Sequence, residues 1–186
     1  MARKRTLDRM AVVAAAAELA DRDGLERLTL AQVAERLNVR VPSLYNHVDG
    51  LAGLQRDLAL AGMRAATDTL RRAAVGLAGD AALFAIADAY RTFAHEHYGL
   101  YSAGLRAPAA DDAELQAAGA ELIEVVIAVL QPYRLDEIAL IHTIRGLRSI
   151  VHGFVTLEAQ GGFGLPVDCD ESFRRLMQLF VGGLHT

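Results

Sequence analysis

Residues 28–54, LTLAQVAERLNVRVPSLYNHVDGLAGL, read as two short helices joined by a tight turn. Thr29 stands where a first helix would begin and Gln32 three residues later, the spacing at which cap hydroxyl and amide satisfy each other's orphan backbone donors. Leu30, Val33, Ala34 and Leu37 recur at helical spacing and predict one buried stripe. Asn38 falls at the sharp turn, where asparagine is second only to glycine in tolerating a left-handed C-cap. A second helix is expected from about Val41, with Pro42 in its first turn and Leu44 and Val48 pointing inward. The pattern is a helix-turn-helix.

The opposite side of the second helix carries Arg40, Val41, Pro42, Ser43 and Asn46. Arginine can grip guanine, asparagine can pair with adenine, and an apolar side chain can touch a thymine methyl in a major groove. Tyr45 and His47 lie nearer the edge of this face, suited to backbone phosphates, which set register without reading sequence. Thr29 is placed with the DNA-binding residues as well as at the cap. The bland alternative is that Tyr45 and His47 only pack a small three-helix core.

The block V-x-x-x-S-L-Y-x-H-V over residues 39–48, after A-x-x-L-x-V over 34–39, resembles the DNA-binding domain of the TetR family of one-component regulators. The likeness runs over residues 7–60 without a gap. It implies an all-α chain of about nine helices, with a three-helix DNA-binding domain at 1–50 and a helical ligand-binding and dimerisation domain at 51–186. Two positions depart from the family pattern. Leu51 stands where a lysine is usual, which removes a phosphate contact, and Arg40 replaces the usual Ser or Thr cap of the recognition helix. Arg3, Lys4, Arg5 or Arg56 are candidates to compensate.

Composition agrees with packed helices: the chain of 186 residues is 53% hydrophobic, has no Trp and is 6% aromatic. The net charge of −4 is unevenly spread, since residues 1–50 hold eight Lys/Arg against seven Asp/Glu and the remainder eleven against sixteen. Arg3, Lys4, Arg5 and Arg9 face only Asp8, and such an arm can follow a phosphate backbone or remain a solvated terminus. There is no apolar run of about 20 residues, and MARKRTLDRM lacks the apolar segment of a signal peptide, so a cytoplasmic location without membrane contact is expected. The single cysteine, Cys169, excludes an intramolecular disulfide and offers no metal-ligand spacing.

Along the chain, a first helix over 7–22 uses Leu7, Met10, Ala14, Ala17 and Leu19 as its apolar face. A long fourth helix to about Val75 carries Leu54, Leu58, Met63, Ala66 and Leu70. A fifth follows over 81–98, and Gly99 and Pro108 bracket a short sixth. Asp111 or Asp112 opens a seventh that Pro132 stops, Asp136 an eighth to about Gln160, and Asp168 or Asp170 the last.

The eighth helix, EIALIHTIRGLRSIVHGFVTLEAQ, is apolar nearly all round, as expected for burial on more than one side. Leu140, Ile144, Leu147, Val151, Phe154 and Glu158 form a core stripe. His142, Gly146, Ser149, Gly153 and Thr156 form a stripe of mostly small residues. From the latter, Gly146, Ser149 and Gly153, joined by His152 and by Phe173, Met177 and Phe180 of the last helix, are expected at a two-fold contact in a four-helix bundle. Both stripes could instead be core of one chain. AYRTFAHEHYGLYSAGL over 89–105 and RSIVHGFVTLEAQGGFGLP over 148–166 resemble a TetR subgroup named for a Trp-His-Gly signature, with Val151 in place of the tryptophan.

Ligand cavities in helical bundles are mostly apolar with a few convergent polar groups. Met63, Phe84, His95, Tyr101, Leu105, Leu122, Val125 and His142 are the expected lining of such a cavity for a small apolar or amphipathic effector. His95 and His97 are two apart on a helix and point about 200° apart, so no shared metal is expected, nor any cofactor. The sequence has no G-x-S-x-G, phosphate loop or H-E-x-x-H. The expectation is a homodimeric repressor on a palindromic operator in double-stranded DNA. The alternative is a helical small-molecule-binding protein or enzyme that has lost operator binding.

Overall fold

The computed structural model describes residues 7–185, and within them the chain is all-helical. Nine α-helices follow in order: α1 Arg9–Asp23, α2 Leu30–Leu37, α3 Val41–Leu44, α4 Gly50–Ala74, α5 Gly79–Glu96, α6 Tyr98–Ala103, α7 Ala113–Leu130, α8 Glu137–Ala159 and α9 Cys169–Gly182. Their starts follow the chemistry of orphan N–H groups. Asp8, Thr29, Asp136 and Asp168 each accept from a first-turn backbone N–H of the helix they open. At α7 the Leu115 N–H donates to Asp112, which resolves the choice between Asp111 and Asp112.

The chain divides into two compact units. One comprises the chain to Arg64 with Glu96–Ala118; the other comprises Ala65–His95 with Gly119–Thr186. This division differs from a cut after residue 50, because the first turns of α4, all of α6 and the start of α7 pack with the N-terminal helices. The reason is in the glycines. A Cβ on Gly99 of α6 would fall 2.5 Å from the Ala20 Cβ of α1, and one on Gly62 of α4 would collide with the Leu100 carbonyl oxygen. Only the missing side chains let α6 settle against both helices, and the Gly99 N–H donates to Asp21 Oδ1 at 2.7 Å.

The core of this first unit is Val12, Ala16 and Leu19 of α1, Val33 of α2, Leu44 of α3 and Leu54 and Leu58 of α4. The expected face of α1 is met only in part: Leu19 is buried and Leu7 and Ala17 pack against the core, but Met10 and Ala14 are exposed, and Val12, Ala15 and Ala16 are buried beside Leu19. In AVVAAAA nearly every position is apolar, so periodicity alone does not fix which side turns inward. On α4 the expected Leu54, Leu58, Met63, Ala66 and Leu70 are all buried.

The second unit gathers α5, α8 and α9 with the later turns of α4 and α7. Its buried set includes Leu83, Ile86 and Phe93 of α5, Leu147, Val151 and Phe154 of α8, and Phe173, Met177 and Val181 of α9. A charged group lies among them. The Arg91 guanidinium sits 5.2 Å from the Phe154 ring centre and 5.0 Å from that of Phe173, and its Nε donates to Glu158 Oε2 at 2.9 Å. Elsewhere in the unit, Asp80 at the start of α5 accepts from the Tyr133 hydroxyl at 2.6 Å and lies 2.9 Å from His185 Nε2, which fastens the C-terminal turn.

Candidate nucleic-acid interface

The reading element is built by local chemistry. The Thr29 N–H donates to Gln32 Oε1 at 2.9 Å and the Gln32 N–H to Thr29 Oγ1 at 3.3 Å, so the capping box is closed in both directions. Asn38 takes the left-handed conformation at φ 54°, ψ 47°, and the next amide, Val39 N–H, reaches back to the Ala34 carbonyl at 2.9 Å. The chain then enters α3 with Pro42 in the first turn. Leu44 and Val48 are buried beneath it, as their spacing predicts. The regular helix stops at Leu44, and His47 N–H bonds three residues back to Leu44, so the reading segment finishes as a tight turn.

Around this turn Arg40, Pro42, Tyr45 and Asn46 are exposed, while Val41, Ser43 and His47 are half-buried. One short segment thus presents a guanidinium, an amide, a hydroxyl and an apolar patch on the side away from its core. Thr29 is exposed too, but its hydroxyl hydrogen is directed at Gln32 Oε1, 2.9 Å away, which makes it first a cap. Leu51 is half-buried against the core of the unit. Arg3, Lys4 and Arg5 lie outside the described residues.

Arg56 does not stand free to replace the phosphate contact absent at Leu51. Its Nε donates to Asp112 Oδ2 at 2.6 Å and its Nη2 to Asp112 and Glu114, and these bonds raise its pKa above the usual arginine value. The same guanidinium holds the Asp112 and Glu114 carboxyls below their ordinary range. Arg9 is likewise committed, donating from Nε to the buried Asp57 at 2.7 Å. Sequence alone offers no sign of either pairing, because the partners lie 56 and 48 residues away.

The residues expected to line an effector cavity do not form one group. Met63 and Tyr101 are buried and Leu105 is half-buried in the first unit; Phe84, His95, Leu122, Val125 and His142 belong to the second. His142 is exposed, contrary to an interior role within one chain, and His95 lies on the surface with Nε2 2.8 Å from Glu158 Oε2. A cavity of about 420 Å³ does open in the second unit, and of the expected residues only Val125 lines it. Its walls are the last turn of α4, the 75–79 turn and the last turns of α7. The small residues Ala74, Ala78 and Gly79 that make room for it carry no polar signal in the sequence.

For the expected two-fold contact, Ser149 is exposed and Gly146, His152, Gly153 and Phe180 are half-buried. Phe173 and Met177 are corrected: at 1% and 0% exposure they belong to the core of a single chain. The large apolar residues these helices expose are instead Ile138, Ile141 and Leu157 on α8 and Leu179 on α9. Phe180 packs on Gly146, where a Cβ would fall 3.2 Å from its ring.

Residues 12–49, which hold the whole helix-turn-helix, match the family described as "Bacterial regulatory proteins, tetR family", and residues 83–180 match "Tetracyclin repressor-like, C-terminal domain". The HTH-type transcriptional regulator YobS of Bacillus subtilis (strain 168) is 35% identical over 175 residues, covering 93% of this chain and 90% of that protein. The HTH-type transcriptional regulator Rv0681 of Mycobacterium tuberculosis (strain ATCC 25618 / H37Rv) is 37% identical over 185 residues, covering 99% and 84%. The chain belongs to the TetR family. A solved structure from Rhodococcus sp. RHA1 superposes with a TM-score of 0.78 over 96% of this chain and 95% of its own at 24% identity, a likeness of fold. TetR proteins are DNA-binding transcriptional regulators and not enzymes, which sets aside the enzymatic alternative. Among the described residues no helix is long and apolar enough to cross a membrane.

Proposed function

We propose that this TetR regulator is a repressor that binds a palindromic operator as a homodimer and is released by a small apolar or amphipathic effector. The observation that carries the reading is the exposed set Arg40, Tyr45 and Asn46 on a turn whose own core is closed by Leu44 and Val48. Arg40 and Asn46, with Val41, Pro42 and Ser43 beside them, read base edges; Tyr45 and His47 hold phosphates. Residues 1–50 act as the reading domain and 51–186 as the part that dimerises and responds.

Dimerisation is supported by Ile138 at 70% and Leu179 at 76% exposure, large apolar side chains that a second copy of α8 and α9 would cover. A response to effector is supported by α6. It is locked onto α1 at Gly99 and onto α4 at Gly62, so a shift of α6 forces α1 to move with it. To turn a bound population into a free one, the effector must bind the released state more tightly by about 5 kcal/mol.

The test is binding of the purified protein to the intergenic DNA beside its own gene at two salt concentrations. Saturable, salt-sensitive binding of a dimer to one palindrome is expected. Because Leu51 and the paired Arg56 leave a phosphate unserved, Leu51→Lys should tighten binding on all sequences and steepen the salt slope by about one. Weak, sequence-indifferent binding would overturn the reading in favour of a helical ligand-binding protein that has lost its operator.

A further inference from the structure

The cavity in the second unit has walls of one chemical kind. Ala74, Val75, Leu77, Val125, Ala128 and Val129 supply aliphatic carbon, and among the described residues no aromatic side chain lines it. Such a surface favours a saturated hydrocarbon body held by dispersion and loss of hydration, with no stacking partner to select a flat ring. Its volume of about 420 Å³ lies within the range of small-molecule sites.

Two charged side chains complete the lining, Arg71 from α4 and Glu124 from α7. They are not equivalent. Arg71 already has a carboxylate near it, with Nη2 3.8 Å from Glu121 Oε2, whereas among the described residues no ion pair engages Glu124. Glu121 and Glu124 are one turn apart on α7, so the guanidinium at the lining has its partner outside the cavity while the carboxylate at the lining, Glu124, has none among the described residues. The last turn of α7, which contributes Ala128 and Val129, contains no basic side chain to offset the negative pole of that helix. At the opposite rim the positive pole of α5 is already met by Asp80, itself held by Tyr133 and His185.

From the aliphatic lining and the uncommitted Glu124 carboxylate we infer that this cavity is a binding site for an amphipathic cation, an alkyl body seated between α4 and α7 with its ammonium group at Glu124. The occupant touches Arg71, Ala74 and Val75, the end of the same α4 that begins at Gly50 beside the reading turn. Its effect on DNA rests on the repressor reading; its binding does not.

The experiment titrates the full-length protein calorimetrically with octyltrimethylammonium, octanoate and octanol below any micellar concentration, and measures operator affinity in parallel. Octyltrimethylammonium is expected to bind once per chain, octanol more weakly and octanoate not at all. Glu124→Gln should weaken the ammonium by roughly three- to fivefold and leave octanol unchanged. Ala128→Phe should abolish both, and since Ala128 is exposed the added ring fills the cavity without entering the core. Preference for octanoate, or ammonium binding that survives Ala128→Phe, overturns the site. A protein that binds its operator but no ammonium refutes this inference alone; one that binds ammonium but no operator refutes the repressor reading alone.

Discussion

Each unit buries one carboxylate against an arginine, but the arginines differ. In the first, Asp57 is held by Arg9, whose side chain is 60% exposed; in the second, Glu158 is held by Arg91, only 14% exposed and enclosed by two phenylalanine rings. If the carboxylate is lost, Arg9 can return to water, whereas Arg91 is left charged among apolar groups. Among the described residues the ion pair that Arg91 then keeps is with the exposed Asp170, at 2.8 Å. The pair in the second unit therefore ties α5 to α8 and α9 at high stakes, while the pair in the first unit is a peripheral brace between α1 and α4.

The largest effect should therefore come from Glu158→Gln. It is expected to destabilise the full chain by about 3 kcal/mol in denaturant unfolding, with Asp57→Asn costing roughly 1 kcal/mol. Equal losses from the two substitutions would break the comparison. A smaller change sharpens the account of the first unit. Thr29→Ala removes the Oγ1 that accepts the Gln32 N–H while the backbone N–H at position 29 can still reach Gln32 Oε1, and should cost about 1 kcal/mol, measured as lowered amide protection in α2 and weaker operator binding at unchanged specificity.

The smallest effect is the acid response of the surface pairs. Arg56 depresses the Asp112 and Glu114 pKa values in the folded chain, so their contribution is complete above the ordinary carboxylate range. It is lost as pH falls through that range toward the lower folded values. Unfolding midpoints measured from about pH 6 down to about pH 3 should fall less steeply for Arg56→Gln than for the natural sequence. A parallel decline would remove the Arg56 cluster as a source of acid sensitivity.

Much of the reading element was legible residue by residue because its geometry is set within a few positions. Thr29 with Gln32, left-handed Asn38, Pro42 in a first turn and Leu44 with Val48 beneath it are local solutions to local backbone problems. The same holds for the aspartates that open α8 and α9. Rotation was less legible. Periodicity turns Met10 inward, yet it is exposed, and it assigns Phe173 and Met177 to a contact, yet they lie in the core. Apolar residues on several sides of a helix leave the choice to whichever neighbour packs first. The candidate cavity was least visible, since alanines and a glycine shape it by absence of bulk.

The sequence by itself determined the helical class, the helix-turn-helix and its exposed Arg40, Tyr45 and Asn46, because caps, turn residues and 3.6-residue periodicity act over a single turn of chain. Tertiary structure alone decided that Arg56 is spoken for by Asp112, that Glu158 reaches Arg91 and that α6 docks on α1 through Gly99. Those pairings join positions 56, 67 and 78 residues apart. Their free energy exists only once the helices have been brought side by side, so no local pattern encodes them.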